Sequence, residues 1–170
     1  MGSVAEPHFQ LRDDNTVHVA MSLDEYQVFN DMVSMVHGAL IHTDPTQPLP
    51  PTVDRLFPSI FENPLEALAY DKHNAEFVAL RHLKLNRFAR VLQQLELPGQ
   101  VVGQKWRTQI TIEELDVWMV VIQDIRLSLS QIANVQTEDD MDHLADEWRQ
   151  LLVWLAYLLE EIIHIFLKSD

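Results

Sequence analysis

Apolar residues recur every three or four positions along several stretches of the chain, a pattern that predicts amphipathic α-helices. The predicted helices span about 22–42, 74–96, 111–133 and 139–168, and a short one is expected after Asn63-Pro64. The first and third begin with capping boxes, in which a Ser or Thr is followed three residues later by Glu. Helices are therefore expected to form most of the fold.

Shorter segments with alternating apolar residues predict strands. Residues 7–11 and 16–21 are strand-like and are separated by Asp-Asn turn chemistry, so the sequence predicts an N-terminal β-hairpin. Residues 109–111 are expected to add a brief third strand. Together these patterns predict a mainly α fold, a multi-helical, bundle-like single domain with a small N-terminal β-hairpin.

The domain is expected to occupy 1–170, because this length suits one domain with a sizeable core. The β-hairpin takes up 7–21 and the helical core 55–170. The segment 43–54, just before that core, contains four prolines and is predicted to be a stiff, extended connector.

Two segments of the chain resemble each other. Residues 22–29 and 111–118 both follow a strand-like run, and both open a capped amphipathic helix. Capping boxes before amphipathic helices are alike for chemical reasons, which is the simpler interpretation. The alternative is that the chain contains two related strand–helix halves around a pseudo-twofold axis.

The helices predicted over 111–133 and 139–168 are apolar around most of their circumference. Such helices must be covered on more than one side, and a second subunit is one way to cover them. We therefore predict a homodimer through these two helices. The predicted interface residues are Trp118, Trp148, Trp154, Leu158, Ile162 and Phe166.

Composition and charge limit the partners and the kinds of chemistry that are expected for this protein. The chain has 12 Lys and Arg against 26 Asp and Glu, for a formal charge of −14, so nucleic acid and anionic membrane surfaces are not expected as partners. The absence of cysteine excludes disulfides, thiolate zinc sites and thiol nucleophiles. The N-terminus shows no signal-peptide pattern, and a cytoplasmic protein is predicted.

A membrane-spanning segment is not predicted either. Residues 151–167 have about the minimum length for a span, but Glu160, Glu161 and His164 interrupt them. Carboxylates at that depth in a bilayer are costly, so a buried or interfacial helix is the preferred interpretation.

Charged residues lie within the two apolar helices, Asp124 and Arg126 in one and Glu160 and Glu161 in the other. An arginine can bind a carboxylate through two parallel hydrogen bonds, so we predict that Arg126 forms a buried ion pair with Glu160 or Glu161. The expected role of the pair is structural, to select one packing of the helices. A functional pocket lined by the same groups is the alternative.

Glu161 and His164 have the Glu-x-x-His spacing of di-iron helix bundles and are the metal-ligand candidates. Such a site needs a second copy of the motif, which this chain lacks, so no metal and no cofactor are predicted. No Gly-x-Ser-x-Gly motif is present, and no catalytic residues are assigned.

Four basic residues recur at a spacing of three along the helix predicted over 74–96. They are Arg81, Lys84, Arg87 and Arg90. The preferred interpretation is that the helix docks against acidic neighbours within the chain. An anionic ligand or an acidic partner surface is the alternative. Nucleic-acid binding is less favoured, because the stripe lacks interleaved exposed aromatic residues.

Five short motifs, taken in their order and spacing, point to one family. They are Arg55-Leu56-Phe57-Pro58, Glu76-Phe77, Leu83-Lys84, Trp118 with Asp124-Ile125-Arg126-Leu127, and Trp154-Leu155-Ala156-Tyr157-Leu158. Over nearly its whole length the chain resembles the uncharacterised actinobacterial domain of unknown function twenty-seventeen. The resemblance implies no known activity, cofactor or catalytic residue. Members of that family tend to be encoded beside the adaptor of a cytoplasmic protease, which implies a role linked to proteolysis.

The function class predicted from these observations is a non-enzymatic regulatory or protein-interaction module in the cytoplasm. Its expected partners are a second copy of the chain and an unidentified protein. The first alternative is a metal-binding protein or an enzyme with a carboxylate and histidine site on the last helix. A DNA-binding regulator that uses the basic helix is the second.

Overall fold

The computed structural model describes residues 6–43, 51–57, 71–96, 101–134, 137–143 and 145–168. The strands are β1 (Phe9–Leu11), β2 (Thr16–Ser22), β3 (Val101–Val102) and β4 (Lys105–Thr111). The helices are α1 (Leu23–Ile41), α2 (Pro51–Asp54), α3 (Asp71–Leu95), α4 (Ile112–Ile132), α5 (Glu138–Asp142) and α6 (Asp146–Lys168). The described chain is mostly helical and contains the predicted N-terminal hairpin, but it carries a four-stranded sheet where the hairpin and one brief strand were expected.

The sheet is antiparallel, with the strand order β1-β2-β4-β3. Its third predicted strand extends back to Lys105 and pairs with the short strand β3. Gly103 and Gln104 connect the two with positive φ angles of 62° and 64°, as a two-residue hairpin turn requires. This hairpin could not be predicted from the sequence, because β3 has only two residues and two residues are too few to show a periodic pattern.

The capping boxes form as predicted and set the starts of α1 and α4. Ser22 accepts a hydrogen bond from the backbone N–H of Glu25, and the Glu25 carboxylate accepts one from the Ser22 N–H. Thr111 and Glu114 make the same reciprocal pair. Each box satisfies backbone donors that a helix start leaves without partners.

Two predicted segments differ in the structure. The last helix is divided, because Thr137 caps α5 separately and the ring of His143 bonds the Asp139 carbonyl oxygen (2.7 Å) just after α5 ends. Residues 51–54 form a helical turn instead of part of an extended connector, which suits a proline at the first helical position. Residues 44–50 and the short helix expected after Asn63-Pro64 lie outside the described residues.

The strand–helix units β2–α1 and β4–α4 repeat with an offset of 89 positions and face each other across a pseudo-twofold axis. Strand β2 pairs with β4 so that Thr16 lies opposite Thr111 and Ser22 lies opposite Lys105. Because Thr111 is the equivalent of Ser22 and Lys105 is the equivalent of Thr16, a twofold rotation exchanges the two strands. Each buried residue of α1 has a buried equivalent on α4. The pairs are Phe29 and Trp118, Met32 and Val121, Val33 and Ile122, Val36 and Ile125, and Leu40 and Leu129. The two segments that resemble each other in sequence therefore take equivalent places in the fold.

The core lies where these two units meet. The rings of Phe29 and Trp118, which are equivalent positions, stack with centroids 5.5 Å apart. Trp118 also stacks on Trp106 of β4 at 6.5 Å, and Phe9 of β1 meets its edge at 6.0 Å. Helix α3 packs against α1 and α4, and α6 packs against α4.

This packing corrects part of the predicted dimer interface. Trp118, Leu158 and Ile162 are each 0% exposed within one chain, so they cannot contact a second one. Other elements of the same chain therefore cover α4, whereas the prediction from the sequence was that a second subunit covers it. Trp148, Trp154 and Phe166 are half-buried and pack against the core.

Candidate functional site

Helix α6 has one buried side and one exposed side. The buried side consists of Leu152, Leu155, Leu158, Leu159, Ile162 and Ile165. The opposite side, which we call the outer seam, consists of Val153, Tyr157, Glu160, His164 and Leu167, and all five are exposed. Their spacing of 4, 3, 4 and 3 positions is the spacing of a coiled-coil seam. The apolar members are exposed to 56% for Val153, 54% for Tyr157 and 69% for Leu167.

By length and composition alone, α6 is also the helix in the described part of the chain that could cross a membrane, a property shared by core helices of soluble proteins. Its six buried apolar residues pack inside the chain. Glu160 and Glu161 occur in the second half of the helix, where Glu161 bonds a residue of the N-terminal segment.

Lys84 of α3 and Asp124 of α4 form a buried ion pair, with 2.9 Å between Nζ and Oδ2. The two residues are only 7% and 6% exposed. Burial raises the pKa of Asp124 above its ordinary value, although the charges of Lys84 and Arg87 act to lower it. The pair therefore joins two helices through charges that water hardly reaches.

The ion pair predicted between Arg126 and Glu160 or Glu161 does not form. Arg126 is exposed, and no carboxylate of the described residues lies within 4.0 Å of its guanidinium. The carboxylate of Glu161 is bound to His8 instead, and that of Glu160 lies on the outer seam, 3.9 Å from His164. The prediction was right to expect a buried charge at Asp124 but wrong about the partners.

A cavity of about 560 Å³ lies between α4, α5 and α6. Its lining includes Arg55, which follows α2, and Asp124, Arg126, Thr137, Met141 and Leu152. Apolar and charged groups thus meet in one concave surface, as they do in many ligand sites. Arg55 and Arg126 reach it from segments far apart in the sequence.

His8 joins three elements through two carboxylates. Its Nε2 lies 2.7 Å from Oε2 of Glu25, at the start of α1, and its Nδ1 lies 2.7 Å from Oε2 of Glu161 on α6. The backbone N–H of His8 also donates to Glu161 (2.9 Å), and the indole N–H of Trp154 donates to Glu25 (3.0 Å). We call these four residues the histidine clamp. A ring with both nitrogens donating to carboxylates is protonated.

The pKa values in the histidine clamp shift in opposite directions. Burial acts to lower the pKa of His8, but its hydrogen bonds with Glu161 and Glu25 outweigh burial, so this pKa lies above 6.5. Burial acts to raise the pKa of Glu25, but the bonds from Ser22 and His8 hold it below 4.5. Stability from a raised histidine pKa is present below pH 6.5 and is lost as the pH rises through the folded-state value. Stability from a lowered carboxylate pKa is present above pH 4.5 and is lost as the pH falls through the folded-state value.

We therefore expect His8→Gln to lower the free energy of unfolding by about 1.5–3 kcal/mol between pH 4.5 and 6.5, and by less at alkaline pH. Urea unfolding of the variant and the natural chain at several pH values measures the difference. His82→Gln, at an exposed position of α3, is the matched control and should show no such pH profile. An equal deficit at all pH values would contradict a charged histidine clamp.

Two of the four basic residues on α3 make contacts inside the chain. The Arg81 guanidinium donates to the carbonyl oxygens of Leu40 (2.9 Å) and Ile41 (2.6 Å), which the end of α1 leaves without helical partners. Lys84 is buried against Asp124. Arg87 is half-buried, and only Arg90 of the four is exposed. The stripe is thus interrupted by internal contacts rather than presented as one surface.

The metal-ligand candidates Glu161 and His164 engage different groups. Glu161 binds His8 of the histidine clamp, whereas His164 lies beside Glu160 on the outer seam. Within the described ranges, no group of three or more His, Asp or Glu side chains could hold a metal ion.

Sequence reasoning missed the histidine clamp and the role of Lys84. Glu25 was noticed only as part of a capping box, and its second oxygen gives no local signal. His8 and Glu161 are 153 positions apart, and Lys84 and Asp124 are 40 apart. A charged residue in the middle of an apolar helix does signal a buried partner, but it does not say which one.

Comparison with known proteins bears on the family. A family model described as Domain of unknown function (DUF2017) matches residues 6–166, a range that includes all five sequence motifs. The search of curated proteins and the search of solved structures found no match. The actinobacterial origin implied by the resemblance stays a prediction. The family predicted from the motifs is confirmed, and the chain belongs to the DUF2017 family.

Proposed function

We propose that this protein is a protein-interaction module that forms a homodimer through the outer seam of α6. The observation that carries the proposal is the seam itself, five exposed positions at coiled-coil spacing, of which three are apolar. An exposed row of this kind on a long helix is typical of a surface that binds another helix. The proposed function is regulatory and non-enzymatic, as the sequence analysis predicted.

A second copy of the chain is the partner that the seam fits best. Its two ends are apolar, Val153 and Leu167, and Tyr157, Glu160 and His164 lie between them. If two α6 helices pair in antiparallel fashion about an axis near Glu160, Val153 lies opposite Leu167 of the partner subunit. Polar residues inside such a seam select one register over others.

The oligomeric state in solution tests the proposal directly. Light scattering should give the mass of a dimer at micromolar concentration, and Val153→Glu should raise the dissociation constant at least about tenfold, or about 1.4 kcal/mol. Val78→Glu is the matched control, because Val78 is also an exposed valine (41%) but lies on α3. A monomeric natural chain, or equal effects of both variants, would refute the proposal.

The absence of cysteine makes the orientation testable by disulfide formation. A mixture of Val153→Cys and Leu167→Cys chains should form mixed disulfides on mild oxidation, because an antiparallel pair brings these positions together. Val153→Cys alone should stay reduced, as should Gln109→Cys, an exposed position of β4. Efficient linkage of Val153→Cys to itself would instead show parallel helices.

A lipid surface is the competing occupant of the outer seam. The charge of −14 opposes binding to anionic lipid, so the chain should stay unbound in a flotation assay with phosphatidylcholine and phosphatidylglycerol vesicles. Flotation that Val153→Glu abolishes would overturn the homodimer as the function of the seam. The cytoplasmic location and the link to proteolysis stay predictions.

A further inference from the structure

We propose that the cavity between α4, α5 and α6 binds a small organic carboxylate, with the carboxylate at Arg55 and Arg126 and an apolar body inside. The proposal is independent of the homodimer, because the outer seam contributes no residue to the lining of the cavity. It begins from the two arginines. Both line the same cavity, and neither has a hydrogen-bonded or ion-paired partner among the residues that the structure describes.

Arg12, Arg81, Arg87 and Arg90 likewise form no ion pair with a described carboxylate, so what distinguishes Arg55 and Arg126 is that both line one cavity. Arg107, by contrast, binds Glu6 through both terminal nitrogens, and Arg149 binds Asp146. A planar guanidinium group can donate two parallel hydrogen bonds to a carboxylate, and two such groups line this cavity.

The lining also contains two acidic residues, Asp124 and Glu138. Asp124 is already paired with Lys84, and Arg87 adds a second positive charge nearby. Glu138 is exposed in the first turn of α5, where the helix dipole favours a negative charge. The lining itself thus contains two arginines and two acids, and Lys84 already pairs with one of these acids, Asp124.

The rest of the lining sets the class of ligand. Leu152 and Leu159 of α6 and Met141 of α5 provide apolar walls, and the hydroxyls of Ser130 and Thr137 and the amide of Gln123 add polar groups. A volume of about 560 Å³ is within the range of pockets for small organic molecules. A bare inorganic anion would leave the apolar walls uncovered, so the site fits a carboxylate that carries a hydrocarbon group.

The residues that meet at this cavity are also those of the sequence motifs. Arg55, Lys84, Asp124 and Arg126 come from three of the five motifs, and the fold brings them to one place through α2, α3 and α4. Lys84 is outside the lining but binds Asp124, which is part of it together with the two arginines. Three of the five motifs therefore contribute a residue to the cavity or to the ion pair beside it, and the other two contribute none.

Calorimetric titration of the full chain with phenylbutyrate tests the proposal. We expect saturable binding that Arg126→Met weakens at least about tenfold, and that Arg126→Lys weakens less, because lysine keeps the charge but loses the fork. Arg90→Met removes an exposed arginine outside the lining and should leave binding unchanged. Unchanged thermal unfolding would show that the Arg126 variants are folded.

Each remaining outcome overturns the proposal. Absence of saturable binding would show that the cavity does not take this class of ligand. Equal losses in Arg126→Met and Arg90→Met would indicate general attraction of anions. Inorganic phosphate or acetate binding as tightly as phenylbutyrate would show that the apolar walls contribute nothing. Val153→Glu, which tests the homodimer, should bind phenylbutyrate as the natural chain does.

Discussion

Replacing Asp124 with alanine is expected to lower the free energy of unfolding by about 3–5 kcal/mol, because it leaves the charge of Lys84 buried without a partner. Urea unfolding measures this loss. Asp116→Ala removes an exposed carboxylate from the same helix and should change stability by less than about 0.5 kcal/mol. If the two variants unfold alike, Lys84 and Asp124 do not form a buried ion pair.

The double variant Lys84→Met with Asp124→Leu separates the cost of breaking the pair from the value of having it. A raised pKa means that the ionised carboxylate of Asp124 is less favourable in the folded chain than in the unfolded chain, even with Lys84 beside it. The apolar pair should therefore be as stable as the natural chain or more so. Recovery of stability would show that the ion pair stabilises the fold no more than apolar side chains do, whereas a loss as large as that of Asp124→Ala would contradict this view.

Trp118→Ala is expected to cost about 3–5 kcal/mol, because its fully buried ring lies between Phe29 and Trp106 at the centre of the core. The variant also removes the donor to the side chain of Gln94. Trp148→Ala is the matched control, since Trp148 is half-buried on α6 and should cost less than half as much. Urea unfolding of both variants measures the two losses in the free energy of unfolding. Equal losses would contradict the placement of Trp118 at the meeting point of the two halves.

The parts of the fold that depend on neighbouring residues could be predicted from the sequence. The starts of α1 and α4 follow from capping boxes whose partners are three positions apart, and the apolar periodicity predicts the lengths of α1, α3 and α4 to within a few residues. The β1–β2 hairpin follows from turn residues between alternating strands. In each case the stabilising contact and the sequence pattern occupy the same short segment.

The candidate sites could be predicted only in part, because they depend on contacts between distant segments. Asp124 is recognisable as a charge inside an apolar helix, but periodicity does not tell which helix faces it. The basic stripe that contains Lys84 is expected to dock against acidic neighbours within the chain, but its spacing does not tell which acid Lys84 meets. The apolar circumference of α4 indicates burial on several sides, but it does not distinguish burial by other elements of the same chain from burial by another subunit. Nothing in the neighbourhood of His8 indicates its contact with Glu161.

The pseudo-twofold repeat has a consequence for where charge can be buried. In an assembly of two identical units, each group placed near the axis occurs twice, so a buried lysine would meet a second lysine as well as any acid. A single polypeptide with two unlike copies escapes this rule: Asp124 lies on α4 of the second copy, and its partner Lys84 comes from α3, which belongs to neither copy. The position equivalent to Asp124 in the first copy is Met35, and the one equivalent to Ser128 is Ala39. Because the two copies differ at these positions, the buried ion pair occurs on only one side of an otherwise symmetric scaffold.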